Sequence, residues 1–378
     1  MATAEADSER TTSVSGNSLM DLALFLGGLV LLLAGAELLV RGAGQVARSF
    51  GISSLVIGLT VVAWGTGSPE LATGLTADFT NHPSLNVGNV VGSNIANILL
   101  VLGFAALFNP LRVPRRLVRF DVPLMIAVSV LTLGFARDGR ISLNEGLVFV
   151  SALLVYTIWT IRASRSAQRA MVEERAREVV GGPSQGDSAQ SRLVVCGVMI
   201  TGGLALVVLG SYGFVRGASY LARDLGLSEL VIGLTIVAIG TSLPELATSA
   251  VAAAKGERDI AVGNAIGSNI FNLLAVLGIC AVVTPGGIEV PDAALNLDMP
   301  IMIAVAIASL LVFSTGHIMT RWNGALFLAL YAAYIAYIVL NATQHTAFSS
   351  FNTIVTMFVL PLATLTLVAI AYQSWRKR

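Results

Sequence analysis

Two carboxylates in this chain sit where a charge is hardest to keep. Glu70 lies in Gly65-Thr66-Gly67-Ser68-Pro69-Glu70-Leu71-Ala72-Thr73 and Glu245 in Gly240-Thr241-Ser242-Leu243-Pro244-Glu245-Leu246-Ala247-Thr248, both inside apolar stretches without a nearby Lys or Arg. An ionised side chain in such a setting requires a polar partner or an ion. Oxygen donors stand at helical spacing around them. Thr66 and Glu70 are four apart, as are Thr241 and Glu245, Ser93 and Asn97, and Ser268 and Asn272, so each pair shares a helix face. Carboxylates, hydroxyls and amides without His or Cys suit a hard cation. Calcium takes six to eight oxygens in flexible geometry, magnesium dehydrates reluctantly, and copper or zinc favours nitrogen or sulfur. Pro69 and Pro244 lack an amide hydrogen, which frees the carbonyls of Gly65 and Gly240 and should kink or break each helix. Within a membrane those carbonyls must be satisfied by protein, water or an ion.

The elements that position these residues come as an internal repeat. From Val40/Val215 to Gly103/Gly278 the offset stays at 175, and 36 of the 64 pairs are identical. The second block of each copy, Gly88-Asn89-Val90-Val91-Gly92-Ser93-Asn94-Ile95-Ala96-Asn97, returns as Gly263-Asn264-Ala265-Ile266-Gly267-Ser268-Asn269-Ile270-Phe271-Asn272. With 55% hydrophobic and 12% charged residues the composition is that of a membrane protein, and a net charge of +1 suggests no nucleic-acid partner. Apolar runs predict helices near 20–40, 52–79, 85–108, 120–136, 144–161, 193–214, 228–254, 260–283, 297–315, 323–341 and 351–373. The fold class is therefore an all-α polytopic membrane protein, two five-helix halves plus one extra C-terminal helix. A half with an odd number of spans forces the second half to lie inverted.

The organisation follows as a polar N-terminal tail at 1–18, a first repeat at 19–161, a cytoplasmic linker at 162–192, a second repeat at 193–341, and the extra helix with a basic tail at 342–378. Residues 1–18 lack the basic start and apolar core of a cleaved signal, so the first run is expected to remain as a span. Placing the N-terminus outside puts eighteen Lys and Arg inside against five outside, and leaves Arg376-Lys377-Arg378 cytoplasmic.

The paired blocks resemble the α-repeats of the calcium/cation antiporter superfamily, the sodium/calcium exchangers and their bacterial relatives, over residues from about 20 to 341. That resemblance implies a multi-pass protein of the cell (inner) membrane whose ten-helix core exchanges calcium for sodium or protons by alternating access. It implies no cofactor; the partners are inorganic cations and the lipid bilayer. Carried over residue by residue, it places Glu70 and Glu245 at the centre of four ion sites, surrounded by the side chains of Ser242, Ser93, Ser268, Asn97 and Asn272 and the carbonyls of Ala63, Thr66, Ala238 and Thr241. The first helix of each half would slide across this core. Two departures stand out. Gly67 occupies a position where many relatives have Ser, with the serine displaced to Ser68, and Asn272 one where many have Asp. Two full charges would be balanced by one calcium ion or by two monovalent ions, so three-sodium coupling is not expected.

Other residues have plainer readings. Glu37 is expected to pair with Arg41, Asn89 and Asn264 to serve helix packing or helix starts, and Asp121 and Asp298 to open helices ahead of Pro123 and Pro300. Cys196 and Cys280 read as buried small hydrophobes, and Gly42, Gly92, Gly217 and Gly267 as points of close helix approach. The alternatives are a proton-coupled cation antiporter, a passive cation channel using the same acids, and an intramembrane hydrolase, for which no Ser/His pair or metal-binding His pattern is present. Helix 351–373 has no counterpart in the repeat and is expected at the periphery.

Overall fold

A computed structural model describes the chain apart from residues 1, 51, 81–82, 179–188, 346–347, 349–352 and 354–378. With no water to bond the backbone, a membrane-crossing chain must close its hydrogen bonds within itself, and the chain does so almost entirely as helix. Among the described residues nine helices are long and apolar enough to cross a membrane. We label the successive spans α1 (Met20–Ser49), α2 (Ser54–Phe79), α3 (Leu85–Phe108), α4 (Leu117–Asp138), α5 (Leu143–Ser164), α6 (Val194–Asp224), α8 (Arg258–Val283), α9 (Ala294–Ser314) and α10 (Arg321–Ala342), with α7 the segmented helix 229–254 between α6 and α8. The helix of α5 continues to Glu178 and that of α6 starts at Ala189, so part of the expected linker 162–192 is helical. Apart from Thr353, the expected span 351–373 lies outside the described residues.

The repeat seen in the sequence returns in the backbone. In α2 the π-turn Gly58–Val62 and short helix Ala63–Thr66 precede a break at Gly67, after which Ser68–Phe79 resumes with Pro69 in its first turn. In α7 the π-turn Gly233–Val237 and short helix Ala238–Gly240 precede a break at Thr241 and Ser242, and Leu243–Ala254 resumes with Pro244. Wider turns also interrupt α3 at Asn97–Leu102 and α8 at Asn272–Val276. Such π-turns are frequent at functional sites. Two short antiparallel ribbons join the halves. Strand β1 (Leu111–Arg112) pairs with β4 (Ile318–Met319), and β2 (Arg140–Ile141) with β3 (Ile288–Glu289). Backbone bonds from Val113 to His317 (2.8 Å) and from Val290 to Gly139 (2.9 Å) extend both ribbons in the same way.

Helices α3 and α8 are the most deeply buried spans and form the centre, while α10 is the most peripheral. The first helix of each half, α1 and α6, pack along each other in opposite directions. Glycines recur every seven residues on the shared seam, Gly28, Gly35 and Gly42 on α1 and Gly203, Gly210 and Gly217 on α6. A Cβ at Gly210 would stand 2.3 Å from the Leu32 amide nitrogen, one at Gly35 2.6 Å from that of Val207, and one at Gly217 2.4 Å from that of Phe25. Only a missing side chain lets backbones meet this closely. A Cβ at Gly267 would likewise stand 2.7 Å from the Leu59 backbone, whereas one at Gly92 would have nothing within 4 Å, so Gly92 is not a contact point.

Because the obstacle at Gly210 is backbone, Gly210→Ala must push α1 and α6 apart, at a cost of about 1–3 kcal/mol. Thermal unfolding of the purified protein in detergent should show a lowered midpoint for Gly210→Ala. The control Gly27→Ala, where nothing lies within 4 Å, should leave it in place.

Candidate cation site

The two helix breaks place Glu70 and Glu245 in the first turn of a resumed helix, where backbone amides give a locally positive environment. Both carboxylates are fully buried. Glu70 Oε1 accepts from Ser93 Oγ at 3.4 Å, and Glu245 Oε1 accepts from Ser268 Oγ at 3.3 Å, the same contact made twice. The second oxygen of each carboxylate has no hydrogen-bond partner, and the same holds for Ser242 Oγ, Asn97 Oδ1 and Asn272 Oδ1. Leaving a buried polar atom unpaired costs about 1–3 kcal/mol, so several in one region are exceptional. Oxygens dominate this set, as a hard cation requires. Among the described residues no three or more His, Cys, Asp or Glu are grouped so that they could hold a metal ion by themselves.

Asn89 and Asn264 do more than pack helices. Asn89 donates through Nδ2 to the Glu70 carbonyl at 3.2 Å and accepts at Oδ1 from Thr241 Oγ1 at 3.2 Å. Asn264 donates to the Glu245 carbonyl at 3.3 Å and accepts from Thr66 Oγ1 at 3.1 Å. Each asparagine therefore ties the glutamate of its own repeat to the threonine of the other. Sequence reading missed this because each threonine partner lies more than 150 residues away. With their hydroxyls engaged, Thr66 and Thr241 are left to offer their backbone oxygens. Further crossings run from Ser93 Oγ to Thr241 Oγ1 (3.4 Å) and from Asn272 Nδ2 to Asn94 Oδ1 (3.2 Å).

The freed carbonyls behave as the prolines require. Gly240 O accepts from Ser211 Oγ of α6 at 2.8 Å. Ala63 O accepts the Gly67 amide at 2.9 Å, whereas the Ser242 amide turns to Ile239 O at 3.0 Å and so leaves Ala238 O without that bond. Ser68 is exposed and its hydroxyl returns to Trp64 O at 2.8 Å, so it does not replace the oxygen that Gly67 lacks.

Asp121 and Asp298 are not simple helix openers. Asp121, fully buried, accepts from Tyr156 Oη at 3.0 Å and lies 3.7 Å from Arg116; Asp298 accepts from Tyr334 Oη at 3.1 Å. These bonds tie α4 to α5 and α9 to α10. The repeat carried the signal, since the Asp and the Tyr recur together in both halves.

The surroundings of the site are unequal. Helix α1 packs on α7 beyond the break, leaving Leu243 8% and Ala247 6% exposed and Thr248 fully buried. The corresponding face of α2, Ser68, Ala72 and Thr73, is exposed. At the packed end Glu37 pairs with Arg41, as expected, and also with Lys255 at 2.7 Å, while Arg48 pairs with Glu257 at 3.1 Å. Isolated exposed pairs are worth little, about 0–1 kcal/mol, but these bridge α1 to the loop after α7.

Replacing Asn264 with Leu unpairs Thr66 Oγ1 and the Glu245 carbonyl together. Loss of such an orienting group commonly weakens metal binding about 10–100-fold. Calorimetric titration of Asn264→Leu with calcium should show that loss, and Asn89→Leu should show a similar one.

Comparison with known proteins follows the same lines. The sodium/calcium exchanger protein family matches residues 20–162 and 196–340. The inner membrane protein YrbG of Escherichia coli K12 is 39% identical over 292 residues, covering 76% of this chain and 87% of YrbG. The sodium/calcium exchanger MaX1 of Methanosarcina acetivorans is 32% identical over 311 residues, covering 75% and 88%. A solved structure of the sodium-calcium exchanger NCX_Mj superposes with a TM-score of 0.71 at 32% identity, covering 85% of this chain and 99% of that one. The two matched segments each contain one copy of the glutamate site, and the chain belongs to the sodium/calcium exchanger family.

Proposed function

We propose that the chain is a secondary antiporter that exchanges calcium for sodium across a cell membrane, a transporter rather than an enzyme. The observation that carries this reading is the duplicated buried carboxylate, each with one oxygen bonded to a serine and one unpaired. Glu70 and Glu245 supply two negative charges that one calcium ion neutralises. Ser93, Ser268, Ser242, Asn97 and Asn272 complete the oxygen set, together with the carbonyls of Ala63, Thr66, Ala238 and Thr241. Relatives named as sodium/calcium exchangers support sodium as the driving ion. Two sodium ions would match the charge of one calcium ion. A third would leave a positive charge uncompensated in a medium of low dielectric constant.

In this reading residues 19–161 and 193–341 are inverted five-helix halves, with α7 completing a ten-helix core. The N-terminus lies outside and the C-terminus in the cytoplasm, supported by the excess of Lys and Arg in the segments then placed inside. The end where α1 seals α7 is then cytoplasmic. The exposed hydroxyl-bearing face of α2 opens toward the outside, so the structure corresponds to an outward-facing state. A seal on one side of the site only is the arrangement of alternating access rather than of a continuous pore.

Calcium uptake into vesicles with either a sodium or a proton gradient imposed alone tests the driving ion, and uptake under sodium is the expected result. A channel would conduct calcium with neither gradient. Glu70→Gln and Glu245→Gln each remove one of two ligand charges and should abolish exchange, to about the same degree, in protein that still reaches the membrane. Retained flux in either variant would overturn the site.

A further inference from the structure

The two copies of the site differ at three neighbouring places, and the structure brings all three together. Where the second repeat has Ile239, Ser242 and, in its partner block, phenylalanine at 271, the first has Trp64, Gly67 and Ala96. Ser242 Oγ is buried without a partner, an oxygen held available at the edge of the Glu245 site. At the corresponding position in the first repeat there is no side-chain oxygen, and the space is filled. A Cβ on Gly67 would stand 2.8 Å from Phe271 Cδ1, 3.0 Å from the Ala63 carbonyl oxygen and 3.2 Å from Phe271 Cε1. Phe271 is itself almost fully buried and packs against Trp64, ring centroids 5.7 Å apart.

The aromatic pair thus occupies the ground that the serine side chain holds in the other half. Two carbons of the Phe271 ring, Cδ1 and Cε1, fill the space beside Gly67. A cation placed there would have to displace the ring, and would find only the Ala63 carbonyl, without the serine hydroxyl that the other half supplies.

We propose that Trp64, Gly67 and Phe271 form an aromatic plug that removes one peripheral monovalent-cation subsite, so that the antiporter has this subsite only on the Ser242 side. The proposal rests on the exchange reading above and adds to it a structural cause for the number of sodium ions taken per calcium. Removing the obstacle and restoring the oxygen must be done together. Gly67→Ser alone drives its Cβ into the ring, whereas Gly67→Ser with Phe271→Ala recreates the Ser242/Ala96 arrangement of the opposite half.

The experiment measures calcium uptake into proteoliposomes against internal sodium, with membrane voltage clamped at several values. Wild type should show a sodium Hill coefficient near 2 and a rate nearly independent of voltage, because two monovalent charges balance one calcium. The double variant should show a steeper sodium dependence and a voltage-dependent rate, while Gly67→Ser alone should gain neither. Sodium titration of the purified proteins by calorimetry provides a second readout that does not require transport, and the double variant should bind one sodium ion more than wild type. Equal sodium binding in the two proteins would overturn the plug, as would a gain in Gly67→Ser matching that of the double variant. Voltage-dependent exchange in wild type would likewise overturn it. If wild type shows no coupled calcium flux under any gradient, the exchange reading falls and the proposal falls with it.

Discussion

Everything in this structure answers to the cost of keeping two carboxylates away from water. Moving an ion of that size into a low-dielectric interior costs about 20 kcal/mol in the idealised limit and several kcal/mol after relaxation. One serine hydroxyl on each carboxylate does not repay that. The helix breaks at Gly67 and at Thr241-Ser242 bring amide dipoles and bent-out carbonyls to the same place, and the π-turns widen the backbone beside them. The architecture around Glu70 and Glu245 is a partial substitute for hydration, which a bound cation would complete.

That demand also explains why the halves interlock. If each half closed its own site, the two carboxylates could drift apart without penalty. Instead Asn89 and Asn264 bond across the interface, so the threonine that borders one glutamate is held by the repeat containing the other. The glycine seam between α1 and α6 has a different character, since at its glycines the halves meet backbone against backbone.

The sequence displayed the carboxylates, the proline breaks and the duplication, because these are local patterns with a fixed offset. It concealed what depends on which surfaces meet. The partners of Asn89 and Asn264 belong to the other half, and the bond from Tyr156 to Asp121 joins neighbouring helices across 35 residues. Phe271 looked like an ordinary apolar residue, and only its proximity to Gly67 gives it a role. The unequal packing of α1 on α7 and α6 on α2 is a property of one conformation, which a shared repeat pattern does not specify.

The two β-ribbons bear on how the molecule is made. Each pairs a strand of one half with a strand of the other, Leu111 with Met319 and Arg140 with Glu289, so neither edge can be closed until the distant segment has been synthesised. At about 5–20 residues per second, the interval between the emergence of β1 and that of β4 is about 10–40 s. During that time the helices of the first half are inserted with open strand edges and an unneutralised Glu70. The ribbons therefore close only after the second half has largely been made, and they fasten the two halves together late.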